Sequence, residues 1–201
     1  MIKNIIVIFL WGISCLSTAL WANPTFLMKG GLELSGDHVL TYRSGVSEND
    51  VDSSAAFGFE LMASSNDALN FGIGAMFQAN RSIKQVDGDN SRKDAFNNLP
   101  LYAIIRFALP INKNFELGAL GNLGINYLDG NKDYLSRKDL KIGRYMAAGL
   151  LLEFRKSVYT ELVFRECNSS YEIETIDKTT VKIKTSNFAL MFGYRFSIPI
   201  S

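Results

Sequence analysis

Between residues 26 and 196, apolar and polar side chains alternate one by one in stretches of about ten residues or more, separated by polar segments. In the last stretch Phe188, Leu190, Phe192, Tyr194 and Phe196 share one face, and Asn187, Ala189, Met191, Gly193 and Arg195 the other. Leu69, Phe71, Ile73, Ala75 and Phe77 likewise oppose Asn70, Gly72, Gly74, Met76 and Gln78. Phe57, Phe59, Leu61 and Ala63 oppose Gly58, Glu60, Met62 and Ser64. Segments 101–109, 115–127 and 146–154 repeat the pattern, with Leu120 out of place, while those near Met28 and Val158 alternate less well. A period of two marks extended strands with two unlike faces. The pattern predicts eight strands, near 27–42, 55–64, 69–81, 99–109, 115–128, 144–154, 158–176 and 180–196.

Most of these exceed the five or six residues usual in soluble sheets. Ten tilted residues is the length that crosses a bilayer as a strand. No later stretch forms an 18-residue apolar run, so no membrane-spanning helix is expected. The connections alternate too. Segments 65–68, 110–114 and 155–157 are short, whereas 43–54, 82–98 and 129–143 are long and rich in Asp, Asn, Lys, Ser and Gly. Short turns on one rim and long loops on the other suit a transmembrane barrel.

The N-terminus differs. Lys3 precedes an unbroken apolar run at 5–13, and the small residues Ser14, Ser17, Thr18, Ala19 and Ala22 follow. That order predicts a secretory signal at 1–22, cut after Ala19 or Ala22, ahead of one domain at 23–201. An uncleaved anchor and a lipoprotein signal at Cys15 are the alternatives. Gly12-Ile13-Ser14 before the cysteine fits a lipidation motif poorly.

Composition changes the picture in one respect. Lys and Arg number 21 against 20 Asp and Glu, a net charge of +1. This balance argues against nucleic-acid binding. With 47% hydrophobic residues the chain is not disordered. The decisive question is which face meets lipid. Phenylalanines crowd one face of almost every strand, while the other carries glycines and charges. A narrow eight-stranded interior is filled by its own side chains. The glycines and charges therefore belong inside, and the aromatic band outside.

The alternating strands, the two loop classes, the signal and the run Phe188-x-Leu190-x-Phe192-x-Tyr194-x-Phe196 resemble the small eight-stranded outer-membrane barrels. That group includes the OmpA membrane domain, OmpX and the opacity-type surface proteins. The resemblance implies an all-β, antiparallel up-and-down transmembrane barrel in the bacterial outer membrane. It also implies outer-membrane lipid as surroundings and the barrel-assembly machinery as a partner during insertion, read through an aromatic-ended last strand. Here Ser197 to Ser201 follow Phe196, where the family usually stops.

Candidate chemistry is sparse. His38 is the only histidine, and the segment it opens, residues 38–42 (HVLTY), offers no serine. It reads as a rim residue in a wet environment. The glycines of 72–74 and 118–124 mostly share strand parity with no helix following, which argues against a phosphate cradle. Residues 87–90 (DGDN) lack the calcium-loop spacing and its terminal Glu. Cys167 reads as an unpaired outer-rim residue. No metal or cofactor is expected.

The interior charges Glu60, Arg106, Glu116, Glu153, Glu161, Arg165 and Arg195 are the candidate network, since unpaired charges there would be costly. Phe59, Phe71, Phe107, Phe164, Phe188, Phe192, Tyr194 and Phe196 are the candidate lipid-facing band. A three-residue turn at 177–179 would set Glu174 opposite Lys182 and Glu172 opposite Lys184 in a protruding hairpin. The same register sets Phe164 against Phe192, Leu162 against Tyr194 and Glu161 against Arg195. The expected function is that of a non-enzymatic barrel with a plugged polar interior. Its loops would serve surface interaction, adhesion or envelope integrity through an unspecified extracellular partner. The alternatives are a narrow channel for ions or small solutes, a lipid-modifying enzyme and a secreted lipocalin-like barrel.

Overall fold

A computed structural model of the protein describes residues 24–42, 45–64, 68–82, 95–130, 140–173 and 179–197. The signal segment 1–22, Glu174 and most of the long connections lie outside these residues. The strands are β1 (Thr25–Tyr42), β2 (Gly45–Val51), β3 (Ser54–Ser64), β4 (Leu69–Ser82), β5 (Ala95–Pro110), β6 (Phe115–Gly130), β7 (Leu140–Phe154), β8 (Val158–Ile173) and β9 (Thr179–Ser197).

β1 pairs antiparallel with both β2 and β3, each strand from β3 onward pairs antiparallel with the next, and β1 pairs with β9, which closes the sheet into a barrel. β2 and β3 together form one wall strand. Both pair with β1 in a single unbroken register, from Tyr42 opposite Gly45 to Thr25 opposite Met62. The wall is therefore eight-stranded. Segment 43–54, expected as a loop, holds β2 instead. β2 escapes the alternation rule because nearly all of it is exposed, including Val46 at 67%. A strand wet on both sides has no apolar face to betray it.

Where β2 gives way to β3, the opposite side of β1 bulges. Its pairing with β9 shifts between Glu33 and Gly36. The bulge reverses the inward parity of β1: Leu27, Lys29 and Glu33 are buried below it, and His38 above it. Cross-barrel rows climb as they circle. The row leaving β1 at Leu27 passes Glu60, Gly74, Tyr102, Gly124, Tyr145, Cys167 and Thr185, and returns to β1 at His38. Strand tilt of this kind is what closes an eight-stranded barrel.

The short turns are set locally. Asn112 Oδ1 accepts hydrogen bonds from the backbone N–H of Asn114 (2.8 Å) and Phe115 (3.1 Å), an Asx turn that starts β6. Between β7 and β8, Arg155 and Lys156 have φ of 50° and 56°, and Ser157 N donates to Phe154 O at 3.1 Å. Left-handed backbone at both central positions matches the twist of the flanking strands.

The register of the last hairpin differs from the sequence expectation. Phe164 faces Phe188, Leu162 faces Leu190, and Glu161 faces Met191. Lys182 faces Ser170, Lys184 faces Asn168, and Glu172 faces Thr180. The predicted pairs Glu172–Lys184, Phe164–Phe192, Leu162–Tyr194 and Glu161–Arg195 therefore do not form. The slip is an even number of residues, so every side chain keeps its face. Face assignment and register are separate questions, and alternation answers only the first.

Candidate functional site: the barrel interior

Lipid-type residues point out. Phe59, Phe107, Phe164, Phe188, Phe192, Tyr194 and Phe196 are all exposed on the outer wall, and Phe71 is half-buried on the same face. Near the turn rim aromatic rings touch, Phe115 with Phe154 across β6 and β7 at 5.1 Å and Tyr194 with Phe196 along β9 at 4.7 Å. Outer-membrane barrels carry such girdles at the membrane boundary.

The interior is layered. At the turn rim Arg195 donates to Glu153 at 3.0 Å, and Lys156 lies 3.7 Å from Glu116. Above them sits a closed ring of four charges from four strands. Lys29 of β1 binds Glu60 of β3, and Glu161 of β8 at 3.0 Å. Arg106 of β5 binds Glu60 at 2.6 Å and also Glu161. Cations and carboxylates alternate, so the ring is neutral, and the four side chains are no more than 1% exposed. The Tyr102 hydroxyl donates to Glu60 at 2.9 Å, and the Arg106 guanidinium lies 4.7 Å from the Tyr159 ring centre. Glycines opposite make room for these rings: a Cβ on Gly74 would sit 2.7 Å from Tyr102.

The next layer holds Arg165 on Glu33 at 2.6 Å, with Gln78 donating to the same carboxylate oxygen at 2.5 Å. Asn126 follows, donating to Asn98 at 2.9 Å. Toward the loop rim the chemistry changes. Val51, Phe96, Leu128 and Ile183 form a separate buried apolar cluster, with Leu40 packed against it. His38 lies beside this layer, its ring 5.4 Å from that of Phe96 and its Nδ1 3.4 Å from the Thr185 hydroxyl.

Several sequence expectations change. His38 is fully buried rather than wet, because the β1 bulge turns it inward. Cys167 is inside the core, not on the outer rim, since it shares inward parity with Arg165 and Ser169. Glu161 is bound by Lys29 and Arg106, and Arg195 by Glu153. Lys29 was missed altogether and Glu33 was left out of the network. Lys29-Gly30-Gly31 breaks the apolar alternation there. The available signal was the apolar series Phe26, Met28, Leu32 and Leu34, which places Lys29 and Glu33 on the opposite face.

The family described as "Outer membrane protein beta-barrel domain" matches residues 8–196. The chain belongs to this outer-membrane barrel family. Its place is the bacterial outer membrane, and the secreted lipocalin-like alternative falls with that assignment. Among solved structures the barrel is similar to OprG from Pseudomonas aeruginosa: 16% identity, TM-score 0.52, covering 86% of this chain and 95% of that one. It is similar to AlkL at 14% identity and TM-score 0.52, covering 89% and 92%. Likeness at this level establishes a shared fold. No curated protein sequence matches the chain. A barrel fold does not by itself fix an activity, which rests on the site each barrel carries.

Proposed function

We propose that this outer-membrane barrel is closed to solutes and non-enzymatic. Its work would lie at the loop end, in surface interaction, adhesion or envelope integrity. The supporting observation is the double closure of the lumen. The neutral ring Lys29–Glu60–Arg106–Glu161 fills the middle, and the Val51–Phe96–Leu128–Ile183 layer fills the loop end. An ion entering would have to break paired charges and then cross an apolar layer, and each step opposes conduction. The chain's single histidine is buried beside that layer, out of reach of a substrate. Beyond the apolar band, β8 and β9 turn polar outward at Glu166, Asn168, Lys184 and Lys182. Together with β1 and β2 they extend the wall into a polar sheet suited to a partner in water.

Recording purified, folded protein in planar bilayers tests this reading. Current indistinguishable from the bare membrane is expected, and discrete steps would replace it with the narrow-channel reading. That second reading has one supporting feature. The turn-side charges Arg195 and Glu116 keep 14% side-chain exposure each, so solvent reaches the lumen from that end. His38→Ala is expected to leave any lipid-modifying activity of the preparation unchanged. Loss of such activity would overturn the non-enzymatic reading.

A further inference from the structure

The lipid-facing wall is not uniformly bulky. A groove of about 480 Å³ crosses its outer surface from β5 to β8. Its floor is small: Ala103, Gly121 and Ala148. Its sides are Ile105, Leu123, Met146 and Phe164, and Glu166 stands at one end. The register makes the groove continuous, since Ile105, Gly121, Ala148 and Phe164 are successive cross-strand partners. Because rows climb from β5 toward β8, the Glu166 end lies nearest the loop rim and the Ile105 end deep in the apolar band. Gly121 is not demanded by the backbone. It has no left-handed φ, and a Cβ there would meet only Ile105, at an ordinary 3.6 Å. Its missing side chain leaves room on the outside.

The upper end is charged. Lys184 binds Glu166 at 2.7 Å, and Arg144 lies within electrostatic reach of the same carboxylate. Two cations against one acid leave a net positive mouth above an apolar trough, with the exposed Lys182 adding to it. We infer that this wall holds an acyl lipid of the loop-side leaflet whose phosphate headgroup carries a net negative charge. One chain lies in the trough over Gly121 and Ala148, and the phosphate rests on Arg144 and Lys184. The volume falls in the range of small-molecule sites, and the polarity is graded as such a lipid requires.

Native mass spectrometry of the folded, detergent-solubilised protein tests this, with phosphatidylglycerol and phosphatidylcholine of matched chains as probes. Wild type is expected to retain phosphatidylglycerol preferentially. Each of Arg144→Gln and Lys184→Gln should weaken that retention about fivefold and leave phosphatidylcholine unaffected. Gly121→Leu should remove one bound lipid with either headgroup. Heat-modifiable migration on gels confirms that each variant is folded. Equal retention of both lipids by wild type would overturn the assignment of a net-anionic headgroup. An unchanged lipid count in folded Gly121→Leu would overturn the groove.

Discussion

The barrel interior is filled at two levels, by different physics. The middle layer is held by charge, the carboxylates of Glu60 and Glu161 alternating with Lys29 and Arg106. The loop end is filled by the apolar side chains of Val51, Phe96, Leu128 and Ile183. The contrast is one of tolerance. A ring of buried charges tolerates no missing member, because each partner left behind is an uncompensated charge in a low-dielectric space. An apolar layer loses only the removed contacts and the cavity they leave.

Removing Arg106 is the sharpest way to break this comparison. Arg106→Ala leaves Glu60 and Glu161 sharing only Lys29, at a cost of about 3–5 kcal/mol of stability, read from urea unfolding of the folded band. Adding Glu161→Gln to it should recover much of the loss, and no recovery would contradict the ring as a neutral unit. On the outer face of β3, Phe59 adjoins Glu60 and points to lipid. Phe59→Arg should cost about 2–4 kcal/mol near the midplane, whereas the inward Asn122→Ser, which keeps a polar side chain in the polar lumen, should show no depth-dependent penalty of this kind. Phe96→Ala should cost about 2–3 kcal/mol, less than in a sealed core, because Leu40 beside it is only partly buried. The smallest effect belongs to the β7–β8 turn. Replacing Arg155-Lys156 by Asn-Gly relieves left-handed backbone at two side-chain-bearing residues and should stabilise by about 1 kcal/mol. A neutral or negative change in melting temperature would contradict it.

The register of the final hairpin has its own check. In a Cys167→Ser background, cysteines at 164 and 188 should crosslink and cysteines at 164 and 192 should not.

Which side of the wall each residue occupies was legible in the sequence, because lipid and a filled lumen impose opposite demands on successive residues. Phe188 to Phe196 declare their face without reference to any neighbour. Register was not legible. A hairpin moved by an even number of residues keeps every face, and the charges of Glu172, Glu174, Lys182 and Lys184 make several alignments look favourable. The structure instead pairs Lys184 diagonally with Glu166. β2 was illegible for the reverse reason: it has water on both sides and so no alternation to display. The ring itself was half legible. Glu60 and Arg106 stood out on clean strands and Glu161 on a less regular one, whereas Lys29 is hidden among glycines, and only the closure of β1 on β9 brings it to Glu161.

That closure has a consequence for how the barrel is made. Glu161 meets Lys29, and Arg165 meets Glu33, across 132 positions of sequence in each case. Both contacts join β8 to β1, the strands flanking β9, where the sheet seals. A sheet still open along that seam presents Glu161 and Arg165 without these partners, so each step short of closure leaves charge facing the bilayer. Insertion is therefore biased toward all-or-none completion, and a half-inserted sheet has no comfortable resting place in lipid. The ring acts as a latch, engaging only when the last edge meets the first.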